Sequence, residues 1–119
     1  MATGTTATTK GPTKYWLSFR LDDAGPGRAT YAQRYSEFKS WVTHHHDGPP
    51  KLTWEETTSY ILFSSNDDIA DIAGHLKSVL MKPDTFLLGK VEYQRTFAFG
   101  VVDRTTLGEY FGTNHLTYI

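Results

Sequence analysis

Residues 57–93 read TTSYILFSSNDDIADIAGHLKSVLMKPDTFLLGKVEY, and this stretch decides the fold. A β-branched and aromatic run at 57–63 comes first, apolar residues then repeat every three or four positions, and a second apolar run follows at 86–91. β-Branched and aromatic residues favour strands, whereas a three- to four-residue apolar repeat favours a helix. The stretch therefore predicts a strand, a helix and a strand.

The sequence indicates where the central helix of this stretch begins and ends, and which of its residues form an apolar face. Side chains that cap free amides stand at Ser65–Asp68, and early acids complement the helix dipole. Pro83 prevents the helix from continuing. One apolar face is expected to carry Ile69, Ile72, Ala73, Leu76, Val79 and Leu80.

A further strand is predicted upstream, at Lys14–Leu21, where apolar and polar residues alternate. Side chains alternate between the two faces of a strand, so the two sets separate. We expect the core side to carry Tyr15, Leu17, Phe19 and Leu21. The opposite side then carries Trp16, Ser18, Arg20 and Asp22.

A first helix is predicted at Tyr31–Val42, with Thr30 as its cap and Gln33 reaching back in a capping box. It ends before a proline-rich loop at 44–50. From Leu52 the chain is extended again, either as one bent strand or as two short strands broken near residues 55–56. Together these elements predict an α+β protein in which both helices cover one face of a sheet.

Length and composition narrow the class of protein. A chain of 119 residues suits one domain, and the absence of cysteine excludes disulfides and thiolate-bound zinc. No apolar run approaches the roughly 20 residues that a bilayer requires. We therefore expect a soluble, cytoplasmic protein that does not associate with membranes.

The face of the sheet opposite the helices is the candidate working surface. Trp16, Arg20, Tyr60 and Trp54 are expected there, and such a face either pairs with a second sheet or binds flat molecules. The segment up to His46 has six bases against three acids, although the whole chain has a net charge of −1. A basic patch around the first strand and helix would add Lys14, Arg28 and Arg34.

Three segments carry a resemblance to a known group of proteins: Tyr15–Asp22, Thr57–Phe63 and Asp84–Leu88. They resemble the small ferredoxin-like proteins grouped with the second core subunit of the CRISPR adaptation complex, especially the SinR-like relatives, over about residues 14–100. The resemblance implies a ferredoxin-like β-α-β-β-α-β domain at residues 13–100, a homodimer whose sheets meet, and association with RNA or DNA. Residues 1–12 are then a flexible tail, and residues 101–119 an aromatic extension that packs on its own domain or on a partner.

Some members of that group are metal-dependent nucleases, and the resemblance implies an aspartate near the end of the first strand for the metal. The aligned residue here is Arg20, whose positive charge repels a cation. A paired site built from Asp22 or Asp23 of two subunits, with Mg or Mn, remains the alternative. Histidines 44–46 are poor candidates for metal ligands, because adjacent side chains point in different directions.

We therefore expect a non-enzymatic, nucleic-acid-associated scaffold without a cofactor. Its binding residues would be Arg20, Trp16, Tyr60, Lys14, Arg28 and Arg34. A metal-dependent endoribonuclease or phosphodiesterase that uses Asp22 or Asp23 is one alternative. A protein-interaction subunit, whose aromatic tail docks on a larger complex, is the other.

Overall fold

The computed structural model describes residues 11–22, 28–57, 59–92, 95–100 and 103–119, with only the backbone at 28–30. Up to residue 90 the order is strand, helix, two strands, helix and strand, and a short strand, a short helix and a final short strand follow. The elements are β1 (Thr13–Arg20), α1 (Arg28–His44), β2 (Trp54–Thr57), β3 (Tyr60–Ser65), α2 (Ile69–Val79), β4 (Thr85–Lys90), β5 (Thr96–Ala98), α3 (Arg104–Phe111) and β6 (Leu116–Tyr118).

Strands β1 to β4 form one antiparallel sheet in the order β2-β3-β1-β4. Helix α1 joins β1 to β2, which run parallel to each other with β3 between them. Helix α2 joins β3 to β4 in the same way, with β1 between them. Strands β5 and β6 pair in parallel as a separate ribbon. The expected α+β class, with a helix-backed sheet, is confirmed.

The helix-side core lies where the alternation along β1 predicts it. Tyr15, Leu17 and Phe19 are buried against Phe38 of α1 and Leu76 of α2. The aromatic pair Phe19–Phe38 has ring centroids 4.9 Å apart. Both helices therefore cover the same face of the sheet.

Several element boundaries differ from the prediction. Helix α1 already begins at Arg28, so Thr30 lies inside it and is not its cap. The extended segment forms two strands, and the break comes after Thr57, since Thr57 pairs with Tyr60 across a two-residue connection. The predicted start of α2 is confirmed, because the Asp68 side chain accepts a hydrogen bond from the Ala70 N–H at 3.1 Å.

The C-terminal segment covers part of the other face of the sheet. Leu107 and Tyr110 of α3 are buried in a second core with Trp54 and Leu62. The Tyr110 hydroxyl donates a hydrogen bond to the Leu52 carbonyl at 2.8 Å. This extension thus packs on its own domain and covers Trp54 of β2 and Leu62 of β3 on the side of the sheet opposite the helices.

A buried ion pair joins α1 to the turn before β4. Arg34 Nε lies 2.9 Å from Asp84 Oδ2, and the two side chains are 8% and 0% exposed. Asp84 also accepts hydrogen bonds from the N–H groups of Asp22 and Met81, at 2.8 and 2.9 Å. A terminal nitrogen of Arg34 donates to the Asp22 carbonyl at 2.9 Å. Arg34 was expected on a basic surface; the structure corrects this, because it is a structural residue inside the fold.

The environment of Asp84 fixes its charge. Burial alone would raise its pKa, but hydrogen bonds from Arg34, Met81 and Asp22, together with the Arg34 charge, hold the pKa below its usual value. A carboxyl group with a lowered pKa in the folded state stabilises the fold above its unfolded-state pKa of about 4. That contribution is lost as the pH falls through the folded-state pKa.

Asp84→Asn is expected to lower the free energy of unfolding at pH 7 by about 3 kcal/mol, because it leaves the buried Arg34 without its counter-charge. The difference from wild type should narrow as the pH falls below about 4, because the carboxyl group then takes up a proton in the unfolded wild-type chain before it does so in the folded one. Urea unfolding at pH 7, 5 and 3 measures both effects. Glu37→Gln, on the exposed side of α1, is the matched control and should be neutral. A difference that stays constant across this pH range would contradict the assignment.

Candidate binding surface

The side chains of β1 that point away from the helices lie on the far face of the sheet. Alternation places Lys14, Trp16 and Arg20 there, since Tyr15, Leu17 and Phe19 face the helices. Arg20 is exposed, and Lys14 and Trp16 are half-buried. Tyr60 of β3 lies opposite Ser18, on the same face. The structure thus brings four of the predicted binding residues onto one surface.

Trp16 is seated on a glycine of the neighbouring strand. Gly89 is its partner on β4, and a Cβ atom added to Gly89 would lie only 2.5 Å from Cζ2 of the Trp16 indole. The indole therefore lies directly against the β4 backbone, in space that any larger residue would occupy. Because glycine has no side chain, position 89 leaves the space that the Trp16 indole occupies against the sheet.

A depression beside this indole forms the candidate binding slot. It has a volume of about 300 Å³ and is lined by the rings of Trp16, Tyr60 and Phe111, with Lys90 and Glu92 also at its wall. We call it the Trp16 slot. Burial raises the pKa of the Tyr60 hydroxyl, so this group stays protonated at neutral pH and can donate a hydrogen bond.

Trp54 does not belong to the open surface, which corrects the expectation from sequence. It is 9% exposed beneath α3, and its indole N–H donates to Oε1 of Glu56. Its ring meets that of Tyr60 nearly edge-on, with an interplanar angle of 74°. Helix α3 thus occupies the half of the far face that lies over β2 and β3.

A larger apolar groove lies between β2, β3, β5 and α3, with a volume of about 490 Å³. We call it the C-terminal groove. Among the residues that the structure describes, its wall contains five aromatic residues and one charged residue, Glu56. The aromatic residues are Trp54, Tyr60, Phe97, Phe99 and Phe111. The sequence pattern did not indicate this groove, because the residues of α3 show no clear apolar period.

The basic residues of the predicted surface do not all lie on one face of the fold. The Arg28 side chain lies outside the described part of the chain, and Arg34 is buried. Lys14 and Arg20 remain near the Trp16 slot. The cationic character of the surface is therefore weaker than the sequence indicates.

The alternative metal site at Asp22 or Asp23 stays a prediction. Asp23 lies outside the described residues, and the Asp22 carbonyl oxygen lies 2.9 Å from a terminal nitrogen of the Arg34 guanidinium. That guanidinium is paired with the Asp84 carboxylate. Within the described ranges, no group of three or more His, Asp or Glu side chains is placed to hold a metal ion.

The three consecutive histidines bind different backbone groups. His44 Nδ1 lies 2.8 Å from the Ser40 carbonyl, and His45 Nδ1 lies 2.9 Å from the Trp41 carbonyl. His46 Nδ1 accepts the Ser64 N–H, while Nε2 lies 2.8 Å from the Pro50 carbonyl oxygen. Their role here is to hold the end of α1 and the following loop.

Comparisons of the chain with protein-family models, with curated proteins and with solved structures found no match. The function is therefore argued from the geometry of this chain. None of the helices in the described ranges is long and apolar enough to cross a membrane.

Gly89→Ala is expected to destabilise the fold by roughly 1 to 3 kcal/mol, because the new methyl group overlaps the Trp16 indole. Chemical denaturation measures the loss. Gly74→Ala is the matched control, since a Cβ atom there has no neighbour within 4 Å and lies in α2, where alanine is favoured.

The double variant Trp16→Leu/Gly89→Ala tests the cause. Removing the indole should recover much of the stability lost in Gly89→Ala, which a double-mutant cycle detects as coupling. Additive losses would show that Trp16 does not lie on Gly89.

Proposed function

We propose that this protein is a non-enzymatic, cytoplasmic module that binds single-stranded nucleic acid on the far face of a ferredoxin-like domain. The fold assignment is supported by the β-α-β-β-α-β order, in which each helix joins two parallel strands with a third strand between them. A homodimer formed by the far faces is not part of the proposal, because α3 already covers the β2–β3 half.

The observation that carries the proposal is the Trp16 slot. Its three aromatic rings offer faces on which an unpaired base can stack, and its volume of about 300 Å³ accommodates one planar base. Stacking on an aromatic side chain contributes about 1 to 3 kcal/mol per base and is available to every base. Bases inside a duplex are already stacked on each other, so the slot favours single strands.

Cations near the slot supply the contacts to phosphate. Lys14 and Arg20 lie on the same side of β1 as Trp16, whereas Lys90 pairs with Tyr15 and so belongs to the helix side of β4. Two phosphate contacts to a single strand give a salt slope of roughly −1.4 in log K against log salt. With a net charge of −1 there is no long-range attraction, so stacking and these short-range contacts must supply the affinity.

Trp16→Ala is expected to weaken binding of a fluorescently labelled single-stranded RNA about 5- to 100-fold, because the base loses its stacking partner. Trp16→Phe should retain most of the affinity. Fluorescence anisotropy with single-stranded RNA, single-stranded DNA and duplex DNA, at two salt concentrations, measures this. A melting curve for each variant verifies that the fold is intact.

Arg20→Glu should weaken binding and make the salt slope shallower, since a phosphate contact is lost. Lys77→Glu is the matched control, because Lys77 is exposed on α2, on the opposite face. Binding that survives Trp16→Ala and Arg20→Glu, or equal affinity for duplex DNA, would contradict the proposal. Absence of binding to any nucleic acid would favour the protein-interaction subunit, whose exposed surface includes Phe97, Phe99 and Ile119.

A further inference from the structure

The C-terminal groove differs from the Trp16 slot in its charge. Among the described residues that line it, Glu56 alone is charged. The other wall residues are aromatic, aliphatic or threonine. We propose that this groove binds a small organic cation with an apolar body, such as an alkyl- or arylammonium ion. This proposal does not rest on the proposed nucleic-acid function, although the two sites share Tyr60 and Phe111.

The Glu56 carboxylate is held in place without being neutralised. Its Oε1 atom accepts hydrogen bonds from the indole N–H of Trp54 and from the backbone N–H of Asp103, the latter at 2.8 Å. Neither donor carries a full charge, so these two hydrogen bonds orient the carboxylate at the wall of the groove without pairing it with a cation. A fixed carboxylate beside aromatic rings attracts a cation and repels a phosphate.

The aromatic rings provide the second part of the recognition. The rings of Trp54 and Tyr60 meet at 74°, with centroids 6.3 Å apart, and form a corner. Phe97 and Phe99 line the same groove and are 55% and 82% exposed. Aromatic faces attract cations, and cages of several rings are the known means of binding quaternary ammonium groups. The Arg95 guanidinium already lies 5.5 Å from the Phe97 ring centroid, so this ring contacts a cation within the chain itself.

The size and the aliphatic wall define the rest of the ligand. A volume of about 490 Å³ lies within the range of small-molecule sites. Leu62, Leu107 and Leu116 complete the wall, and they suit an apolar body next to the charged group. Tyr60 and Phe111 also line the Trp16 slot, but the charge that decides the ligand class differs between the two sites.

NMR titration with benzyltrimethylammonium tests the site, with the indole N–H signals of the three tryptophans as reporters. The Trp54 signal should shift and saturate, whereas that of Trp41, on α1, should not move. Choline should bind several-fold more tightly than 3,3-dimethylbutan-1-ol, which replaces its charged nitrogen by carbon. Equal affinity of choline and the alcohol would overturn the proposal.

Two variants separate the charge from the rings. Glu56→Gln keeps an oxygen acceptor for Trp54 and Asp103 but removes the charge, and should weaken benzyltrimethylammonium binding about 5- to 30-fold. Phe99→Leu keeps an apolar side chain at an exposed position and should weaken binding a few-fold, because the ring face is lost. Glu109→Gln, exposed on α3, is the control and should not change it. Unchanged affinity in both Glu56→Gln and Phe99→Leu would overturn the proposal.

A last arm distinguishes a free ammonium ion from a side chain of a protein. We expect a free ion, because the aliphatic wall accommodates the whole apolar body of a small molecule. A short peptide with one trimethyllysine should then bind no more tightly than benzyltrimethylammonium. If the peptide binds more tightly than benzyltrimethylammonium, and if Glu56→Gln abolishes that binding, the ligand is a modified protein and not a free ammonium ion.

Discussion

The alternation of side chains along β1 is the constraint on which the rest of the structure depends. This strand is central in the sheet, and each of its faces is committed to a different neighbour. Leu17 and Phe19 lie under the helices, whereas Trp16 faces the far side. A slip of one residue would exchange the two sets and place Arg20 beneath a helix. The same alternation therefore determines both the core and the candidate binding surface.

The buried pair of Arg34 and Asp84 fixes how the helix layer meets the ends of the sheet. Asp84 accepts hydrogen bonds from the chain just after β1 and from the turn just before β4. Its ion pair with Arg34 connects both of these segments to α1. Nε and Nη2 of Arg34 and both carboxylate oxygens of Asp84 have hydrogen-bond partners, and no described buried side-chain nitrogen or oxygen lacks one. A buried ion pair of this kind contributes little to the net free energy of unfolding, because the cost of desolvating the charges offsets much of their attraction. Its main effect here is to favour one packing of α1 against the ends of the sheet.

The parts of the fold that could be predicted are those encoded within a short window. Helix α2 has a cap and three turns of apolar repeat, and β1 has eight alternating residues, so both were predicted nearly in place. Helix α3 was missed, because it has only eight residues and includes two threonines and a glycine, which are weak helix formers. Its burial against Trp54 and the bond from Tyr110 to Leu52 join residues about fifty positions apart. The pairing of Trp16 with Gly89 likewise depends on strand register, which no local pattern specifies.

Two surfaces of different charge share one wall of the fold. Lys90 and Glu92 line the Trp16 slot, and Lys14 and Arg20 lie on the same face of β1 as Trp16, whereas Glu56 lines the C-terminal groove. On the proposed assignments, Glu56 repels phosphate from the groove. Tyr60 and Phe111 line both, so an occupant that turns either ring in one site changes the shape of the other. Any such coupling acts equally in both directions, because each ligand must change the affinity of the other by the same factor.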